Sequence, residues 1–145
     1  MENETLRSLR ALTSAYLDRV AELERNRKFP EGLFGIKGGP KDDPCHERYA
    51  EDARALLTAF AASKPGSEDA AAVLRELFSA AEANRDAQCA YWMLIAVQGL
   101  GLPLVEALTP ADAAALCGAY RKQYPRRMRL PVQDEILKRL QKAAG

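Results

Sequence analysis

Apolar residues recur every third or fourth position along most of this chain, and no segment sustains an apolar–polar alternation of period two. Six helices follow from that spacing. The first, over 4–28, places Leu6, Leu9, Thr13, Tyr16, Leu17 and Val20 on one face. The second, over 44–63, uses Tyr49, Ala53, Leu56, Leu57 and Phe60; the third opens at a Ser67 cap and uses Ala70, Val73, Leu74, Leu77, Phe78 and Ala81. The fourth, over 87–99, is apolar nearly all round, which predicts a central position covered on several sides. The fifth runs from Pro110 to Tyr124 and the sixth starts at Pro131.

The local signals agree with the periodicity. Asp43 is placed to cap the second helix, with Pro44 at its first position and Glu47 in its first turn, where the macrodipole favours a carboxylate. Thr109, Pro110 and Asp112 repeat the device for the fifth. On the sixth, Asp134–Lys138 and Glu135–Arg139 are spaced as i,i+4 ion pairs. The expected fold is all-α, one domain over 1–145, in either of two arrangements. One is a closed bundle. The other is a HEAT- or armadillo-like stack of helix pairs, because alternate helices start about 42 to 45 residues apart.

One stretch breaks the pattern. Residues 29–45 read FPEGLFGIKGGPKDDPC and hold four of the nine glycines and three of the eight prolines, a long connection of the kind that serves a function. Its Phe29, Leu33, Phe34 and Ile36 are candidate contacts for a partner or for the core, and Lys37 and Lys41 flank glycines in a run able to approach an anion. That run lacks the GK[ST] ending and the preceding strand of a P-loop. Cys45 and His46 follow at once. A thiol in a first helical turn gains thiolate character from the macrodipole, whereas Asp42 and Asp43 oppose a second negative charge. Neighbouring helical residues point about 100° apart, so Cys45 and the chain's only histidine cannot face one another as a dyad. Asp42, Asp43, His46 and Glu47 offer oxygen and nitrogen atoms, but no second histidine or cysteine pair completes a zinc set, and no metal or other cofactor is expected.

A second unusual connector lies at 121–129, RKQYPRRMR, where Arg121, Lys122, Arg126, Arg127 and Arg129 come without a carboxylate. Residues 109–145 as a whole carry eight basic and three acidic side chains. Arg126, Arg127 and Arg129 are therefore candidate contacts to phosphates, and Tyr124 a candidate for stacking on a base. Two structural roles compete: Arg121 and Lys122 offset a helix dipole, and the arginines can dock on the acidic stretch 61–108. Cys89, Tyr91, Trp92, Met93 and Cys117 read as core, and Gly118 inside the fifth helix as a point of close helix approach.

The bulk composition narrows the classes further. A hydrophobic fraction of 48% beside 28% charged residues suits a soluble globular domain, and a net charge of +1 supplies no whole-molecule field for a polyanion or an anionic bilayer. The longest apolar run, 89–97, is well short of the roughly 20 residues of a membrane span. MENETLRSLR lacks the apolar stretch of a secretory signal. Three widely spaced cysteines fit reduced thiols in a cytoplasm.

The stretches GGPKDDPCHERYAED and YPRRMRLPVQDEILKRL resemble uncharacterised small helical proteins of bacteria. That resemblance implies a bacterial cytoplasmic protein and carries no activity. The function expected from the residues is a non-enzymatic helical interaction or scaffold module, engaging an unidentified protein partner or a second copy through residues 29–46 and 121–129. Two alternatives are a thiol-based sensor or enzyme centred on Cys45, and RNA or polyanion binding through 121–129.

Overall fold

The computed structural model describes residues 3–26, 42–87 and 89–145, and among these every regular element is helical. The six α-helices are α1 (Glu4–Asn26), α2 (Cys45–Ala62), α3 (Ser67–Ala83), α4 (Cys89–Gln98), α5 (Pro110–Gln123) and α6 (Pro131–Ala144). The candidate contacts Phe34, Lys37 and Lys41, with the rest of the glycine-rich run, lie outside the described residues.

Helix starts follow local chemistry. Asn3 caps α1 by accepting the Leu6 N–H at 3.0 Å. The start of α2 corrects the expectation: Pro44 holds the cap position, and Asp43, one residue before it, accepts the Cys45 N–H at 2.9 Å, the first N–H of the helix. Thr109 caps α5 through the Asp112 N–H at 3.2 Å. Ser67 departs from the expected cap. Its hydroxyl donates to Asp112 and accepts the Thr109 N–H at 2.8 Å, so it ties the start of α3 to the start of α5 rather than serving its own helix.

Helix α3 sits at the centre, packed against α1, α4 and α5, while α1–α2 and α5–α6 pair side by side. Its Ala70, Val73, Leu74, Leu77, Phe78 and Ala81 are all buried in one continuous core with Leu9, Leu57, Leu94, Ile95, Leu116, Ile136 and Leu140. Burying each of these Val, Leu, Ile and Phe side chains contributes about 1.5–3 kcal/mol, which makes this core the main support of the bundle.

Beyond Gln98 the chain tightens into a 3-10 segment, Gly99–Ala107, that the periodicity did not reveal. Its glycines explain the path. A Cβ on Gly99 would meet Val132 Cγ2 at 2.9 Å, and one on Gly101 would meet Leu74 Cδ2 at 2.7 Å. Pro103 removes a further donor from the segment. The stretch Cys89–Ala107 is long and apolar enough to cross a membrane by composition alone, yet here Leu94, Ile95, Val97, Leu104 and Val105 are packed inside the bundle. Gly118 corrects the expectation placed on it: it is exposed, and a Cβ at that position would meet nothing within 4 Å.

A buried polar chain crosses the core. Tyr120 donates to Gln98 Oε1 at 2.9 Å, Gln98 Nε2 donates to the Tyr124 hydroxyl at 3.1 Å, and that hydroxyl donates to the Phe78 carbonyl at 3.2 Å. Tyr124 is thereby committed to the interior and does not present a ring for base stacking. Burial pushes its phenol up to about 12.

Candidate functional site

Cys45, His46 and the connector arginines line separate concavities. The first, about 520 Å³, opens between α1 and α2 and is lined by Tyr16, Arg19, Asp43, Cys45, Arg48 and Tyr49. Tyr16 and Tyr49 stack with ring centroids 4.4 Å apart, and Thr13 Oγ1 lies 2.9 Å from the Tyr49 hydroxyl. Arg19 donates to Asp43 at 3.1 Å. The Cys45 N–H and that guanidinium hold the Asp43 carboxyl below its ordinary range. Cys45 itself is half-buried in the first turn of α2. Burial first, and then the Asp43 carboxylate, push its thiol up to about 12, so the macrodipole is outweighed.

His46 turns the other way, as the 100° step between helical neighbours requires. Its Nδ1 lies 2.6 Å from the Tyr16 hydroxyl, and the residue is 7% exposed. The imidazole helps floor a second concavity, a groove of about 390 Å³ with Cys89, Trp92, Met93 and Ala96. Cys45 and His46 thus open onto different surfaces.

Trp92 corrects its expected place in the core: it is 60% exposed. It forms a wall shared by the His46 groove and a further groove of about 350 Å³, which is lined by Tyr91, Ile95, Met128, Leu130 and Gln133. Met128 is 63% and Leu130 37% exposed. The two regions singled out in the sequence, the start of α2 and the basic connector, therefore flank one exposed indole. Periodicity could not find this surface, because a helix apolar on all sides does not say which side stays open. The available signal was Met128 and Leu130, two large apolar residues set beside Arg126, Arg127 and Arg129.

The connector itself forms a 3-10 turn, Arg126–Met128. Arg129 is structural: it donates to Asp134 Oδ1 at 2.9 Å and to the Tyr124 carbonyl at 3.4 Å, with only 13% of its side chain exposed. Arg85 donates to the Gln123 carbonyl at 3.0 Å, so two guanidinium groups satisfy the C-terminal end of α5. Asp134 pairs across Pro131 with Arg129 rather than along its helix with Lys138. Arg126 and Arg127 stay exposed. Arg126 lines a cleft of about 630 Å³ between α5 and α6, together with Arg121, Arg129, Asp134, Leu137 and Lys138.

Among the described residues no three His, Cys, Asp or Glu side chains gather as a metal-ligand set. Comparison with protein-family models, with curated proteins and with solved structures gives no match, so the resemblance in the two quoted stretches assigns no family.

Proposed function

We propose that this chain is a non-enzymatic helical interaction module whose docking surface is the Trp92 ridge. Its occupant is a segment of another protein that carries large apolar side chains flanked by carboxylates. The observation that carries this reading is the 60% exposure of Trp92 between two grooves. Scattered apolar residues on a surface need no explanation, but Trp92, Met128 and Leu130 rim one groove, and Trp92, Met93 and Ala96 line the other. Tryptophan and methionine are residue types enriched at interfaces, and tryptophan above all at their energetic centres.

Charge favours an acidic partner. Arg126 and Arg127 precede Met128 in the same turn and make no ion pair among the described residues. A second copy seated symmetrically over this turn would set like charges against each other. The division of Cys45, His46 and the arginines among separate concavities supports a module over a catalytic centre at Cys45.

Selection of a random peptide-display library on the full chain tests the reading. Peptides with apolar anchors and acidic flanks should emerge and lose affinity for Trp92→Ala. Peptides that bind Trp92→Ala equally well would contradict it. A dimer abolished by Trp92→Ala in sedimentation would replace the foreign partner with a second copy.

A further inference from the structure

The cleft between α5 and α6 has a composition that the interaction surface does not explain. It receives Arg121 from the last turn of α5, Arg126 from the 3-10 turn, and Lys138 from the second turn of α6. None of these three makes an ion pair or side-chain hydrogen bond among the described residues. The one carboxylate in the cleft, Asp134, is already engaged by Arg129 at 2.9 Å. Three like charges from three elements thus face one volume of about 630 Å³ without a counter-charge of their own. Such an arrangement repels itself and is relieved by a bound anion.

We infer that this cleft is a binding site for a phosphoryl group, held by Arg121, Arg126 and Lys138. A single carboxylate would neutralise one of the three cations. A phosphoryl group carries close to two negative charges and several acceptor oxygens, which suit two guanidinium forks and an ammonium arriving from different directions. Arg129 fixes the geometry rather than the ligand, since its guanidinium spans Asp134 and the Tyr124 carbonyl. The remaining lining, Leu137 and Gln141, offers no aromatic face, and Tyr124 is buried. Recognition therefore falls on the phosphoryl oxygens and not on a base. The group can belong to a small phosphorylated molecule or to a nucleic-acid backbone, and the two sources separate experimentally.

Titration of the full chain with pyrophosphate, followed by calorimetry at low and moderate salt, tests the assignment. Saturable one-site binding is expected, weakening as salt rises. Arg126→Ala and Lys138→Ala should each weaken it about tenfold, the loss of one charge-assisted contact. Arg127→Ala, a neighbour outside the cleft, and Trp92→Ala should leave it unchanged, which separates this site from the docking ridge. A single-stranded oligonucleotide that displaces pyrophosphate identifies the backbone as a source. An oligonucleotide that fails to displace it identifies a small phosphorylated molecule. Absence of pyrophosphate and oligonucleotide binding alike, or an equal loss with Arg127→Ala, overturns the site.

Discussion

The hydroxyl of Tyr16 lies 2.6 Å from Nδ1 of His46, and this bond joins the middle of α1 to the first turn of α2. It holds the only imidazole of the chain inward, beneath the groove beside Trp92, and away from the cleft that Cys45 lines. Tyr16 is itself buried and stacked on Tyr49. Tyr16→Phe keeps the ring and removes the bond. The expected cost is about 1–2 kcal/mol, read as a lower urea midpoint with an unchanged slope. An unchanged midpoint would show that the bond contributes nothing.

Two glycines should respond in opposite directions. Gly101→Ala drives a methyl to within 2.7 Å of Leu74 and 2.9 Å of Leu77, both buried, and should destabilise by about 1–3 kcal/mol. Gly118→Ala fills open space on the exposed face of α5 and should stabilise by about 0.5–1 kcal/mol. Thermal melts of the two variants beside the parent check both signs.

Stability should fall on the alkaline side. Burial raises the Cys45 thiol and the Tyr124 phenol to about 12, and raises Tyr16, Tyr49 and Tyr120 as well. The unfolded chain then releases these protons first, so the native state binds more protons than the unfolded state and stability drops as pH increases. The decline should begin near the ordinary thiol value of 9.0, with little contribution from these groups below about pH 8. A melting temperature that holds steady to about pH 10.5 would contradict this assignment. The same shift makes alkylation of Cys45 at neutral pH slower than that of a free cysteine.

Asp43 gives the acid-side counterpart. Its carboxyl is held low chiefly by the Cys45 N–H, with Arg19 adding to the effect. Its contribution is therefore present above the ordinary carboxylate value and is lost as pH falls through the lower native one. Asp43→Ala removes the acceptor of the Cys45 N–H and the partner of Arg19, and should cost about 1 kcal/mol at neutral pH. Asp43→Asn keeps an oxygen to accept the Cys45 N–H and should cost less, while lowering the Cys45 thiol by removing the adjacent negative charge. Equal losses in the two variants would show that the bond to the Cys45 N–H is not what Asp43 supplies.

Features set by neighbours in sequence were legible before the structure. The Thr109 cap and the separation of Cys45 from His46 follow from a few adjacent residues and helical geometry, whereas the cap position of α2 falls on Pro44, one residue after the expected Asp43. Features set by distant partners were not. Ser67 looks like a cap, but its hydroxyl serves Asp112 and Thr109, more than forty residues away. Gly118 suggests a close helix crossing that in fact occurs at Gly99 and Gly101. The basic connector was visible as a run of charges. Its division into a structural Arg129, exposed Arg126 and Arg127, and a cleft completed by Lys138 depended on the pairing of Arg129 with Asp134. Trp92 escaped because α4 has no polar face to mark its open side.

Trp92 is the only tryptophan, so its emission reports directly on the ridge. The decisive measurement is its spectrum and acrylamide quenching in the full chain, alone and with a display-selected peptide carrying apolar anchors and acidic flanks. The free protein should emit as a water-exposed indole that acrylamide quenches readily, and the peptide should shift the emission to the blue and protect it. A buried-type spectrum in the free chain, or a bound peptide that leaves both signals unmoved, would contradict docking on Trp92.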